Sequence, residues 1–116
     1  MAAAKHNIVV ARGEDFSFKL TVSSAGAAVD LNGSTFKSEI RRGGGKPLVA
    51  SFDSITLATQ SGDTLGQVTV KITDVETKKL DGNTTYEWDL FRTDDNGDIS
   101  RLIYGNVFVE DSITNV

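Results

Sequence analysis

There is no cysteine in this 116-residue chain, and only one proline, one histidine and one tryptophan. Without cysteine, disulfides, thiol catalysis and cysteine-ligated zinc are excluded, so burial and hydrogen bonding alone must hold the fold. The lone histidine, His6, has no evident partner to orient it, which argues against an acid–base or metal role. The lone proline, Pro47, falls at the start of an apolar run, where it removes no essential ladder bond. No apolar run approaches the length of a membrane span. The start, Met1 to His6, lacks the long apolar region of a secretion signal, so the expectation is a chain made in a cytoplasm, without a membrane partner. Excess positive charge is missing too: the formal net charge of −4 argues against nucleic-acid binding, which draws its affinity from Lys and Arg on phosphates.

What is present is ordinary globular material. Hydrophobic residues make up 39% and charged residues 24%, and the length suits one domain with one core. The apolar residues recur with period two, the mark of a strand with one buried face. Phe16, Phe18, Leu20 and Val22 alternate with polar neighbours, and Val29 and Leu31 form a short piece. Phe36 shares a face with Ile40, and Leu48, Ala50 and Phe52 alternate before Ile55 and Leu57. Val68, Val70 and Ile72 form one stripe, and Tyr86, Trp88 and Leu90 another. The last run changes face between Leu102 with Tyr104 and Val107 with Val109, which predicts a bulge near Gly105-Asn106. The expected core is Phe18, Leu20, Phe36, Ile40, Val68, Val70, Trp88 and Leu90.

Turn clusters separate these runs at Ser24-Ala25-Gly26, Asn32-Gly33-Ser34, Ser61-Gly62-Asp63 and Asp95-Asn96-Gly97. Such spacing predicts an all-β sandwich or barrel. One segment departs from it: Thr73 and Glu76 have capping-box spacing, which predicts a helical turn over Thr73 to Leu80 with Val75 and Leu80 packed inward.

Several stretches invite a chemical reading. Arg41-Arg42-Gly43-Gly44-Gly45-Lys46-Pro47 has the glycines and cations of a phosphate cradle. A phosphate-binding loop, however, needs a glycine where Ile40 stands, a hydroxyl where Pro47 stands, and a helix where the strand-like Leu48 to Phe52 follows. A hairpin turn with solvated basic flanks is the better reading. Glu87 and Asp89 flank Trp88, and paired carboxylates about 5 to 10 Å apart serve glycoside hydrolysis. Two residues on one strand meet that spacing by accident, so a solvated face is expected. Asp94 to Asp98 has the composition of a calcium loop, but Ile99 and Gly105 occupy the positions that require glycine and glutamate. Trp88 shares its face with Tyr86 and Leu90, which favours a core position over a sugar-stacking platform.

The ordered phrases Gly13 to Val22, Val29 to Thr35, Glu39 to Arg42, Gly66 to Thr73, Tyr86 to Leu90 and Arg101 to Val109 resemble a family of tailed-bacteriophage β-sandwich domains. That family includes the N-terminal domains of upper baseplate proteins and proximal tail-fibre modules, and the resemblance spans nearly the whole chain. One departure is Leu80-Asp81-Gly82-Asn83, where the family usually has a Pro-Gly approach to the Tyr86 strand. The resemblance implies an Ig-like two-sheet β-sandwich, to which the alternation and turn spacing give about 7–8 strands with one short helical turn. It implies no catalytic residue, cofactor, metal or small-molecule substrate. The implied role is a non-enzymatic virion component at the tail, baseplate, fibre or neck. Its partners would be other virion proteins and copies of itself; capsid decoration and carbohydrate binding are the alternatives. The expected organisation is a lead over residues 1–7, ordered by a partner, and a sandwich over residues 8–116. Candidate protein contacts are Lys5, His6 and Asn7 in the lead, the basic loop residues Arg41, Arg42 and Lys46, and the acidic tip residues Asp94, Asp95 and Asp98.

Overall fold

The computed structural model describes residues 3–114. Among the described residues there are eleven strands: β1 (Ala4–Lys5), β2 (Ile8–Ala11), β3 (Phe16–Thr21), β4 (Ser23–Ser24), β5 (Ala27–Ala28), β6 (Thr35–Arg41), β7 (Leu48–Ser51), β8 (Ser54–Leu57), β9 (Gln67–Ile72), β10 (Thr84–Thr93) and β11 (Ile99–Glu110). A helical turn, α1 (Asp74–Thr77), joins β9 to β10. The count exceeds 7–8 because β1, β4 and β5 are two-residue pieces and because the run 48–57 divides. Its apolar alternation skips at Asp53, and there the chain leaves one sheet for the other: β7 pairs with β6, β8 with β9.

The larger sheet runs β1-β11-β10-β6-β7, with β2 also paired to β11, and faces a smaller sheet ordered β3-β9-β8. This separation of strands follows the immunoglobulin arrangement, in which the second, fourth and fifth strands lie opposite the third, sixth and seventh. A second hallmark is present. Tyr86, near the start of β10, accepts a hydrogen bond at its hydroxyl from the Asp81 backbone N–H at 2.8 Å, closing the corner between the sheets. Two residues on, where antibody domains carry a bridging cysteine, stands Trp88. The fold is an Ig-like two-sheet β-sandwich.

Aromatic packing takes the bridging role. The Trp88 ring lies 5.7 Å from Phe18 and 5.3 Å from Phe52, and Phe18 meets Phe52 edge-on at 6.2 Å. Ile40, Val68, Val70, Trp88 and Leu90 are buried as expected, whereas Phe18, Leu20 and Phe36 are half-buried. For Phe18 and Leu20 the reason is position: β3 is an edge of the smaller sheet, and only β9, in the middle, has neighbours on both sides.

Three further expectations are corrected. The bulge in β11 lies at Leu102, since Leu90 is paired with Ile103 and Phe91 with Arg101. Leu102 and Ile103 are therefore both buried, and Gly105 keeps the regular register opposite Trp88. The capping box does not form. Thr73 donates its hydroxyl and its N–H to Asp53, the Asp74 N–H is taken by Asp15, and Glu76 accepts the Ser51 N–H. Carboxylates brought from other elements satisfy the helix start, so the local pairing is not needed. Leu80 is buried as expected, but Val75 is exposed.

The third correction concerns the lead. Residues 1 and 2 lie outside the described residues, but 4–7 belong to the sandwich. β1 and β2 continue one another along β11 in a single parallel register. Between them, the His6 N–H donates to the Tyr104 carbonyl at 2.7 Å, and the His6 carbonyl accepts the Trp88 indole N–H at 3.0 Å. A polar lead can join a sheet because the ladder uses its backbone, not its side chains.

Candidate functional site

β10 presents Tyr86, Trp88 and Leu90 to the core, so Glu87, Asp89 and Phe91 project from the outer face of the larger sheet. The neighbouring strands follow the same alternation. β6 buries Ser38 and Ile40 and turns Lys37, Glu39 and Arg41 outward. β11 buries Ile103, Val107 and Val109 and turns Tyr104, Asn106 and Phe108 outward. Strand register then assembles rows across the sheet. Asp89 lies between Glu39 and Tyr104, and Phe91 lies between Lys37 and Arg101. Lys5 extends the first of these rows from β1, opposite Tyr104.

The result is an open trough of about 850 Å³ on the outer face, with the Gly43 to Gly45 turn at one end and Ile99 at the other. Phe91, Ile99 and Phe108 are exposed although large and apolar. Among them runs a lattice of charges. Arg41 donates to Glu39 at 2.8 Å, Lys37 approaches the same carboxylate at 3.7 Å, and the Arg101 guanidinium stands over the Tyr104 ring at 4.4 Å. The hydrogen bond from Arg41 holds the Glu39 carboxyl below its ordinary value, against an opposing effect of burial. Asp89 shifts the other way. Desolvation in the middle of the sheet raises its carboxyl, Arg101 and Arg41 draw it down, and Glu39 pushes it up.

Of the residues expected from sequence, most are engaged within the fold. His6 spends its backbone on β11 and Trp88, and Asn7 accepts the Asn106 N–H at its side-chain oxygen. Among the described residues of the lead, only Lys5 borders the trough. Arg41 to Lys46 is the β6–β7 hairpin turn, as its glycines imply. Arg41 donates to the Lys46 carbonyl, and Arg42 pairs with Asp81 at 2.7 Å while lying over Tyr86. The acidic tip is likewise structural: Asp94 accepts the N–H groups of Asn96 and Asp98 on one carboxylate oxygen, and Asp95 packs against Gly33. The two loops do not meet in one molecule, because they cap opposite ends of β6 and β10. Among the described residues no group of three His, Asp or Glu is placed to hold a metal ion.

The reading of Glu87 and Asp89 as a merely solvated face needs amendment, since both line the trough and Asp89 is partly desolvated. Lys37, Phe91, Ile99, Arg101 and Tyr104 were not singled out by sequence. For Lys37, Phe91, Ile99 and Arg101 the signal was available in the outward half of each alternation, whereas Tyr104, read on one face with Leu102, is turned outward by the bulge at Leu102.

The chain is thus a cysteine-free Ig-like sandwich whose most developed surface is one open sheet face. No protein-family model matches it, and no curated protein sequence matches it. Among solved structures it is similar to the parallel homodimer structures of the extracellular domains of the voltage-gated sodium channel beta4 subunit. The TM-score is 0.42 and the identity 14%, over 100% of this chain and 96% of that one, a likeness that bears on neither activity nor partner.

Proposed function

We propose that this chain is a non-enzymatic docking module of a bacteriophage virion, working at the tail, baseplate, fibre or neck through the outer face of its larger sheet. The observation that carries the docking reading is the exposure of Phe91, Ile99 and Phe108 on a face that also bears an ordered lattice of charges. Apolar anchors inside a polar surround are what protein interfaces use. The virion assignment is supported by the ordered phrases from Gly13 to Val109. Carbohydrate binding is less well supported, because the indole that would serve as a platform is buried against Phe18 and Phe52.

The experiment is particle incorporation. Particles purified from the phage that encodes this chain should contain it in fixed stoichiometry, and dissociated tails and heads should show it with the tails. Phe91→Lys combined with Ile99→Lys should leave the circular dichroism spectrum unchanged and remove the protein from particles. Particles that lack the wild-type chain would refute the virion assignment. Normal incorporation of the double variant would refute the outer face as the docking surface.

A further inference from the structure

We infer that the outer face of the larger sheet pairs with the same face of a second copy about a two-fold axis that lies across the strands. The inference rests on the docking reading of that face and names its occupant.

The argument comes from the order of charges in two adjacent rows. One row reads Glu39, Asp89, Tyr104 across β6, β10 and β11; the next reads Lys37, Phe91, Arg101 across the same strands. Across these three strands the first is acidic with an aromatic ring on β11, and Lys5 continues it on β1. The second is basic at both ends with an aromatic ring in the middle. A two-fold axis running along the rows, midway between them, lays each row on the other row of the partner copy. Glu39 then faces the partner's Lys37, and Tyr104 faces the partner's Arg101. Asp89 faces the partner's Phe91, about one strand spacing, ~4.8 Å, from both of the partner's cations. Every contact occurs twice, as an isologous interface requires.

The alternative axis, running along the strands through β10, sets Lys37 against the partner's Arg101. Like charges in contact disfavour that arrangement. The sign pattern therefore favours the axis along the rows over the axis along the strands.

The contact Lys37 makes within one chain is compatible with sharing. The Lys37–Glu39 pair is long, at 3.7 Å, and the Lys37 side chain is 79% exposed, leaving its ammonium able to bridge two carboxylates. The available area also suffices. Five strands at about 4.8 Å and five outward rows at about 6.8 Å span roughly 600–800 Å², close to one partner's share of a standard interface of about 800 Å². A single point of apolar closure, Phe91 beside the axis, and a polar remainder make for a reversible pair, not an obligate one.

The test is sedimentation equilibrium over micromolar to millimolar concentrations on the wild-type chain and two charge reversals, Lys37→Glu and Glu39→Lys. The wild type should dimerise reversibly. Each reversal alone places like charges at both copies of the pair and should weaken dimerisation by roughly tenfold or more. An equimolar mixture of the two variants restores opposite charges at both positions, so heterodimers should form where neither variant self-associates. Lys37 is exposed and Glu39 half-buried, so unchanged circular dichroism spectra, with melts that stay cooperative, will show that the reversals leave the fold intact.

A wild type that stays monomeric at millimolar concentration overturns the inference, as does a dimer indifferent to both reversals or a mixture that does not rescue. These outcomes separate from failure of the proposed function. A monomer whose particle incorporation is still blocked by the Phe91 and Ile99 substitutions keeps the docking reading and loses the self-pairing. A charge-rescued dimer absent from particles keeps the self-pairing and loses the virion assignment.

Discussion

Trp88 joins two requirements in one side chain: its ring fills the space between the sheets, and its N–H holds the lead through the His6 carbonyl. Trp88→Ala should cost about 3–5 kcal/mol, the usual loss for a large buried aromatic. Trp88→Phe retains much of the packing and removes the donor, so a smaller loss is expected, with the net hydrogen bond contributing about 1 kcal/mol. Denaturant melts of both variants separate the two contributions, and equal losses would show that the hydrogen bond matters little. Gly105 is as restrictive, for a different reason. A Cβ there would fall on the His6 carbonyl, so Gly105→Ala should detach residues 4–7 from β11, read as faster amide exchange at His6.

Asp89 carries the pH prediction. Its folded-state value is raised, chiefly by desolvation, so the folded chain binds this proton more tightly than the unfolded chain does. Its contribution to stability is therefore greatest below the unfolded value and declines as pH rises through the folded one. Asp89→Asn should melt higher than wild type at pH 7, and the difference should vanish in acid below the ordinary carboxylate range. Glu39 has the opposite sign: its lowered value makes a contribution that is present above the ordinary range and is lost as pH falls through the folded value. Thermal melts across pH for Asp89→Asn and Glu39→Gln should show the two trends crossing in direction.

At the scale of elements, the lead is the informative case. Deleting residues 1–7 removes β1, the His6 bonds to Tyr104 and Trp88, and the Asn7 bond to Asn106. At about 0.5–1.5 kcal/mol for each of these bonds, the truncated chain should lose roughly 2–4 kcal/mol and melt lower. The β11 edge it uncovers is also a template for unwanted pairing, so aggregation should rise on heating. Differential scanning calorimetry with light scattering tests both effects, and an unchanged melting temperature would show that the lead contributes nothing. The helical turn α1 shows the same dependence on distant partners, because Asp15 and Asp53 hold its first backbone donors.

For the whole molecule, the absence of cysteine leaves the linking of the sheets to core burial, in which the aromatic cluster lies, and to the Tyr86 corner. Tyr86→Phe should keep the ring packed against the core and release the Asp81 N–H, lowering stability by about 1 kcal/mol without altering the circular dichroism spectrum. The charge lattice of the outer face acts at the same scale. Lys37 is so exposed that its pair with Glu39 stabilises the monomer little, so the order of the lattice is better explained by recognition than by folding.

Fold class could be read along the chain because a strand's faces alternate every two residues whatever surrounds it. The Phe16 to Val22 run, the Val68 to Ile72 stripe and the glycine turn after Arg41 all declare themselves locally. What a linear reading could not supply is which strands become neighbours. The place of β3 at an edge leaves Phe18 half-buried, and the pairing of Leu90 with Ile103 puts the bulge at Leu102. Asp15 and Asp53 displace the capping box from far away in sequence, and the His6 carbonyl finds a donor 82 residues distant. The outer face follows the same division. Each of Glu39, Asp89, Phe91 and Arg101 was visible as an outward residue, but their order as rows exists only once three strands are set in register. Local sterics write the alternation; non-local backbone pairing, which no window of sequence contains, arranges the alternating residues into a surface.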